Sequence, residues 1–169
     1  MTPNASIFSI LRNTLLASLV AGCCLVLGEG ASAQALGPYP VIAGLQVQCG
    51  GVPTFVQPIP DIAMARPGVI VLNPKLFELP GSLKLFVYAH ECAHHLLGNN
   101  EANADCWAIR TGRQQGWFKP SDISYLIQYF GNSPGDWTHA PGPYRIANMM
   151  ACFSTASRTI SDEGVEDRL

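Results

Sequence analysis

Apolar positions come in two kinds of run along this chain. Residues 45–49, 54–57, 62–65 and 69–72 are short apolar stretches, each bounded by Gly or Pro, and they predict short strands. Arg66-Pro67-Gly68 is a turn signal, so 62–65 and 69–72 predict a hairpin. Pro53, Pro58 and Pro60 place the earlier strands at a sheet edge or make them irregular, because proline offers no N–H to a ladder. Beyond Asn73-Pro74 the period changes. Residues 76–79 suit a short helical turn closed by Pro80-Gly81. Leu83, Leu85, Phe86, Val87, Leu96 and Leu97 make 82–97 an apolar helix crossing a core, with Ser82 as its N-cap and Gly98 as its stop. A second helix is expected from Glu101 to about 115, ending at Gly116. Ser121 caps a third over 122–130, where Asp122 suits the helix dipole. A fourth, 144–153, follows a loop rich in Gly and Pro. The pattern is that of a small α+β domain, a short antiparallel or mixed sheet with four helices.

The ends differ from this middle. Arg12 is the only charged side chain before Glu29, and 15–27 is a continuous run of apolar and small residues. That length suits the core of an export signal and is short for a membrane span. Ala31-Ser32-Ala33 then offers a cleavage site, which makes 1–33 a signal peptide. Val20-Ala21-Gly22-Cys23 also resembles a bacterial lipobox, by which Cys23 would become a lipidated N-terminus. An uncleaved N-terminal anchor is a third expectation. Residues 34–44 are expected to be a loose lead-in. Residues 154–169 carry several charges and few apolar anchors, and predict a flexible acidic tail. The folded domain is therefore expected over 34–153.

Composition narrows the partners. Apolar residues make up 48% of the chain and charged residues 13%, enough apolar material for a core without help. The net charge is −2 and no basic cluster is present, so neither nucleic acid nor an anionic membrane surface is an expected partner. Membrane attachment is expected only through a retained or lipidated N-terminus. Cys23 and Cys24 belong to the leader, which leaves Cys49, Cys92, Cys106 and Cys152. An even set in an exported chain suggests two disulfides. The expected pairing is Cys92–Cys106 with Cys49–Cys152, the first tying together the two central helices. Export also predicts a periplasmic or secreted location.

The candidate chemistry lies in 89–110. His90-Glu91-Cys92-Ala93-His94 is an HExxH sequence, and three of the chain's four His residues lie in this stretch. Two His four apart project from one helix face and can share a metal. Glu91 stands beside the first, where a carboxylate can serve as general base toward water. Cys92 is about 200° around the helix from His90 and should face away. A hydrolytic zinc wants a third protein ligand, and the candidates are Glu101, Asp105, His95 and His139. His95 points about 100° from His94 and is a poor choice. Glu101 can return to the metal because Gly98 breaks the helix. Asp105, one turn later on the same face, is better placed to accept from a ligand imidazole. Trp107, Trp117, Trp137, Tyr125 and Tyr129 could line a cleft or fill the core.

HECAH followed by Glu101-Ala102-Asn103-Ala104-Asp105 resembles the HExxH…ExxAD arrangement of gluzincin metallopeptidases. The nearest resemblance is to the HtpX and CAAX-prenyl-protease type in its small soluble minigluzincin form. His139, Arg145 and Ile146 keep the spacing of a later segment of that group. The interval from His94 to Glu101 is shorter than gluzincins usually have. It is nearer the metzincin spacing, at which this chain has Asn100. The resemblance implies a zincin-like fold in which 69–72 is an edge strand along the cleft. It also implies that an extended peptide or protein is the substrate and that Zn²⁺ is the metal, on His90, His94 and Glu101. Glu91 would be the base, His139 would stabilise the oxyanion, and Arg145 would hold Asp105 or the loop. The function so implied is a zinc-dependent endopeptidase outside the cytoplasm. The alternative is a catalytically inactive exported zinc-binding module, or a disulfide-stapled envelope protein without metal.

Overall fold

The computed structural model describes residues 32–163, and of 156–163 the backbone alone. In chain order its strands are β1 (Gln34–Gly37), β2 (Val41–Ile42), β3 (Leu45–Gln46), β4 (Thr54–Val56), β5 (Ala63–Arg66) and β6 (Val69–Leu72). The helices are α1 (Gly81–Leu97), α2 (Glu101–Gln114), α3 (Ile123–Phe130) and α4 (Gly142–Glu163). The fold is α+β, with a small mixed sheet. Four strands pair in the order β1-β4-β6-β5, with β4 and β6 parallel and the outer pairings antiparallel. β2 and β3 form a separate two-stranded ribbon. Among the described residues no helix is long and apolar enough to cross a membrane.

The apolar run in α1 becomes the centre of the core. Leu83, Leu85, Phe86, Val87, Tyr88 and Ala89 are all buried, as expected of a helix apolar on nearly every side. They pack with Ile42, Ile70, Leu72 and Leu76 from the strands and the following turn, and with Ile109, Leu126 and Met149 from the other helices. Burying a side chain such as Phe86 contributes about 1.5–3 kcal/mol. α1 starts at Gly81, one residue before the expected cap, with Pro80 at the N-cap position. It ends at Gly98, whose φ of 84° is open to glycine and strained for other residues. Asn73 ties the hairpin region down: its amide donates to the carbonyls of Ile59 and Asp61, and its oxygen accepts from Lys75 N.

Several expectations are corrected. Residues 34–44 are not a loose lead-in, because β1 pairs with β4 and Ile42 is fully buried. β1 is held by main-chain bonds, which need no apolar pattern. The expected strand at 45–49 shrinks to β3, leaving Cys49 in a turn. β4 lies inside the sheet despite its neighbouring prolines, since these flank the strand and Pro53 contributes a carbonyl to Ile70 N. β6 is likewise internal, and the two edges of the four-stranded sheet are β1 and β5. The third helix opens as a 3-10 turn at Pro120–Asp122 before α3. α4 runs to Glu163, so 154–163 is helical rather than a flexible tail. Ser154 and Thr155 satisfy the helix by bonding back to the carbonyls of Met150 and Ala151. Residues 164–169 and the leader up to residue 31, with Cys23 and Cys24, lie outside the described residues.

The disulfide pairing also differs. The bonds are Cys49–Cys92 and Cys106–Cys152, not Cys92–Cys106 and Cys49–Cys152. The cause is direction. α2 meets α1 on the His90 side, and Cys92 points away from that side toward the turn at Cys49. Cys106 faces α4 instead. Each bond therefore braces one of the two central helices against a distant segment. Replacing Cys106 and Cys152 together by Ala is expected to lower the unfolding free energy by about 2–4 kcal/mol. Urea unfolding of the oxidised proteins measures it.

Candidate metal centre

α1 supplies the first part of the site. His90 and His94 are one turn apart, and their Nε2 atoms approach to 3.1 Å. His90 is only 4% exposed. The chain then turns at Gly98 and re-enters helix at Glu101. Asn100 caps α2, its side chain accepting from Asn103 N at 2.9 Å. The residue at the metzincin spacing thus has a different job. The cap sets the first turn of α2 against α1, and Glu101 reaches back. Its Oε2 lies 3.1 Å from His90 Nε2 and its Oε1 3.5 Å from His94 Nε2. One ligand atom from each of His90, His94 and Glu101 lies within 4.8 Å of the others.

The proton bookkeeping of these groups favours a cation. His94 Nδ1 lies 3.2 Å from the Gly98 carbonyl, which can only accept, so Nδ1 carries the hydrogen. His90 Nδ1 lies 2.9 Å from Asp105 Oδ1, again an acceptor, although this contact is bent rather than a straight hydrogen bond. In the neutral form that binds a metal, both rings would present bare Nε2 lone pairs toward the Glu101 carboxylate. Oε2 of Glu101 is buried and has no aligned donor, although two ring nitrogens stand close to it. Two imidazole nitrogens and an unsatisfied carboxylate oxygen are a donor set that suits Zn²⁺.

Burial and charge bear out the crowding. Burial pulls the pKa of His90 down, but Asp105 and Glu101 beside it outweigh this and raise it to about 9. Burial pushes Glu101 up, while His139, His90 and His94 more than offset it and hold the carboxyl well below its usual range. Glu91 is raised, chiefly by burial. It stands apart from the ligand set. Its Oε2 accepts from Ala65 N at 2.6 Å, so the carboxylate spans from α1 to the edge strand β5.

The second row of residues is in contact as well. Arg145 donates from Nε and one terminal nitrogen to the two oxygens of Asp105, at 2.9 and 2.7 Å. Asp105 is 1% exposed, and the guanidinium also lies over the Phe130 ring. His139, from the loop before α4, brings Nε2 to 3.1 Å from Glu101 Oε2. It falls outside the set that could share one ion. His95 turns to the Val69 carbonyl and takes no part. Cys92 points away, as its helical position requires. Trp107 and Trp117 pack against the core, while Trp137 is 96% exposed.

Two contacts were not visible in the sequence pattern. One is the Ala65 N–H on Glu91, whose only signal was a hairpin just before the helix. The other is Asn148, whose amide donates to Ala102 O and fastens α4 to the first turn of α2. A shallow recess of about 180 Å³ opens there, beside Glu101 and between Ala102, Ala140, Tyr144 and Asn148. The chain matches no family model, no curated protein and no solved structure.

Proposed function

We propose that this protein is a zinc-dependent endopeptidase that acts outside the cytoplasm, a gluzincin of the small HtpX-like kind with a zincin-like fold. One observation carries the reading: Nε2 of His90, Nε2 of His94 and a carboxylate oxygen of Glu101 converge, while Glu91 beside them is left out of the set. A purely structural zinc has no use for a carboxylate beside the ligands that does not bind it. Bound on these three residues, zinc would supply Lewis acidity, acidifying water and polarising a carbonyl.

The chain's own groups do the rest. Glu91 takes the proton of the attacking water and returns it to the leaving amine. Asp105 holds His90 by Nδ1, and Arg145 holds Asp105, so that the ring stays aimed. β5 has a strand partner on one side only; Glu91 takes the Ala65 N–H on its other side, and the remaining main-chain groups there receive an extended peptide. His139 stands beside Glu101 where it can face developing negative charge. The two disulfides fit an oxidising, exported setting.

The test is zinc content followed by casein or peptide-library cleavage. About one zinc per chain is expected, with cleavage abolished by a chelator and restored by added zinc. Zinc without cleavage would leave an inactive zinc-binding module. No zinc would leave a disulfide-stapled envelope protein.

A further inference from the structure

We infer that His95 fastens the turn end of the β5–β6 hairpin to α1 and so keeps β5 in place for the peptide. This rests on the reading of β5 as the strand that receives the substrate. It makes His95 a positioning residue that stands outside the set that could share an ion.

α1 carries two rows of polar side chains side by side. His90 and His94, one turn apart, face Glu101. Glu91 and His95, also one turn apart, lie about 100° further around the helix. This second row meets the hairpin. Glu91 Oε2 accepts from Ala65 N on β5 at 2.6 Å, and His95 Nε2 stands 3.2 Å from the Val69 carbonyl on β6. A carbonyl can only accept, so the ring is the donor. Ala65 and Val69 flank the Arg66-Pro67-Gly68 turn, and Arg66 pairs with Val69 across it. One helix face therefore grips both strands beside the turn.

The hairpin needs a hold at that end. Its other end is tied by Asn73, whose backbone N donates to Ile62 O at 3.0 Å and whose amide donates to the carbonyls of Ile59 and Asp61. β6 is steadied by β4, but β5 has no strand on its outer side. Glu91 is a poor sole anchor for the turn end, because the base also has to take a proton. A protonated carboxyl is a weaker acceptor for the Ala65 N–H than a carboxylate. His95 has no such second task, and through it the hairpin keeps a fixed point while Glu91 works. A last-turn His also suits the helix dipole, but that would be met by a ring in solvent and needs no bond to another element.

The experiment compares His95→Leu, which fills the space and cannot donate, with His95→Gln, whose amide nitrogen can stand where Nε2 stood. Hydrogen exchange of the amides in 63–71 is followed in metal-stripped and in zinc-loaded protein. His95→Leu is expected to speed that exchange about tenfold, and His95→Gln to restore the wild-type rate. In peptide hydrolysis His95→Leu should raise KM about three- to tenfold with kcat and zinc content held, since main-chain bonds to β5 serve ground and transition states alike. His95→Gln should bring KM back. The inference is overturned if His95→Leu leaves exchange in the hairpin as it was, if it lowers zinc content, if an active protein keeps its KM in that variant, or if His95→Gln fails to rescue. Should the wild type cleave no peptide, the peptidase reading falls, and the exchange comparison still decides whether His95 holds the hairpin.

Discussion

Glu91→Gln is expected to retain full zinc content and to hydrolyse peptides roughly 10²–10⁴-fold more slowly, the usual worth of a positioned general base. Retention follows from geometry. Glu91 is outside the group formed by His90, His94 and Glu101, so an amide in its place leaves every ligand atom where it was. The loss follows from chemistry, since an amide cannot take a proton from water. The Ala65 N–H still has an oxygen to bond, so the edge strand should not move. Metal analysis of the purified variant, beside single-turnover cleavage, separates the two effects. Undiminished turnover would remove Glu91 from the role of base. Loss of zinc would mean that it holds the ion.

The second large effect is expected at Arg145. Its replacement by Met should destabilise the fold by about 3–5 kcal/mol, because it leaves Asp105 as a buried charge with one partner fewer. The arginine side chain is only 12% exposed, so solvent cannot replace the missing bonds. The stacking over Phe130 is lost as well. Zinc affinity should fall with stability, since Asp105 is what holds His90 by Nδ1. Urea unfolding and zinc titration measure the two. The pH dependence has a fixed sign. Burial raises the pKa of Asp105, but Arg145 and His90 outweigh it and hold the carboxyl below its ordinary value. As the pH falls the unfolded chain binds that proton first. The contribution is whole above about pH 4 and is lost as the pH falls through the folded value. Arg145→Met should flatten that part of the acid-unfolding profile.

What could be read from the sequence was local. Helical period alone puts His90 and His94 on one face and turns Cys92 from it, and Gly98 announces where α1 stops. The return of Glu101 and the placing of Asp105 one turn later depend on the same few residues. The hairpin of β5 and β6 was legible from Arg66-Pro67-Gly68. What could not be read was the relation between distant segments. β1 is held to β4 by its backbone, so Gln34, Ala35 and Gly37 show no pattern. Which strand forms the edge depends on pairings across the chain, and β6 gave no sign that β4 would lie beside it. The disulfides failed for the same reason: the heading of Cys92 was known, but not that Cys49 would be waiting there. α4 outran its apolar pattern, with Ser154 and Thr155 bonding back along the helix where apolar anchors give out.

Gly98, Asn99 and Asn100 are the whole of the connection between α1 and α2. All the groups that would grip an ion are thus near neighbours along the chain, while the sheet needs β1 to find β4 and β4 to find β6. Loops of about ten residues close in roughly 10–100 ns, far sooner than strands from separate regions align. During synthesis or refolding the helical hairpin can therefore bring its ligand groups together before β1 and β4 join the β5–β6 hairpin, and the late step is the completion of the sheet rather than of the pocket for an ion.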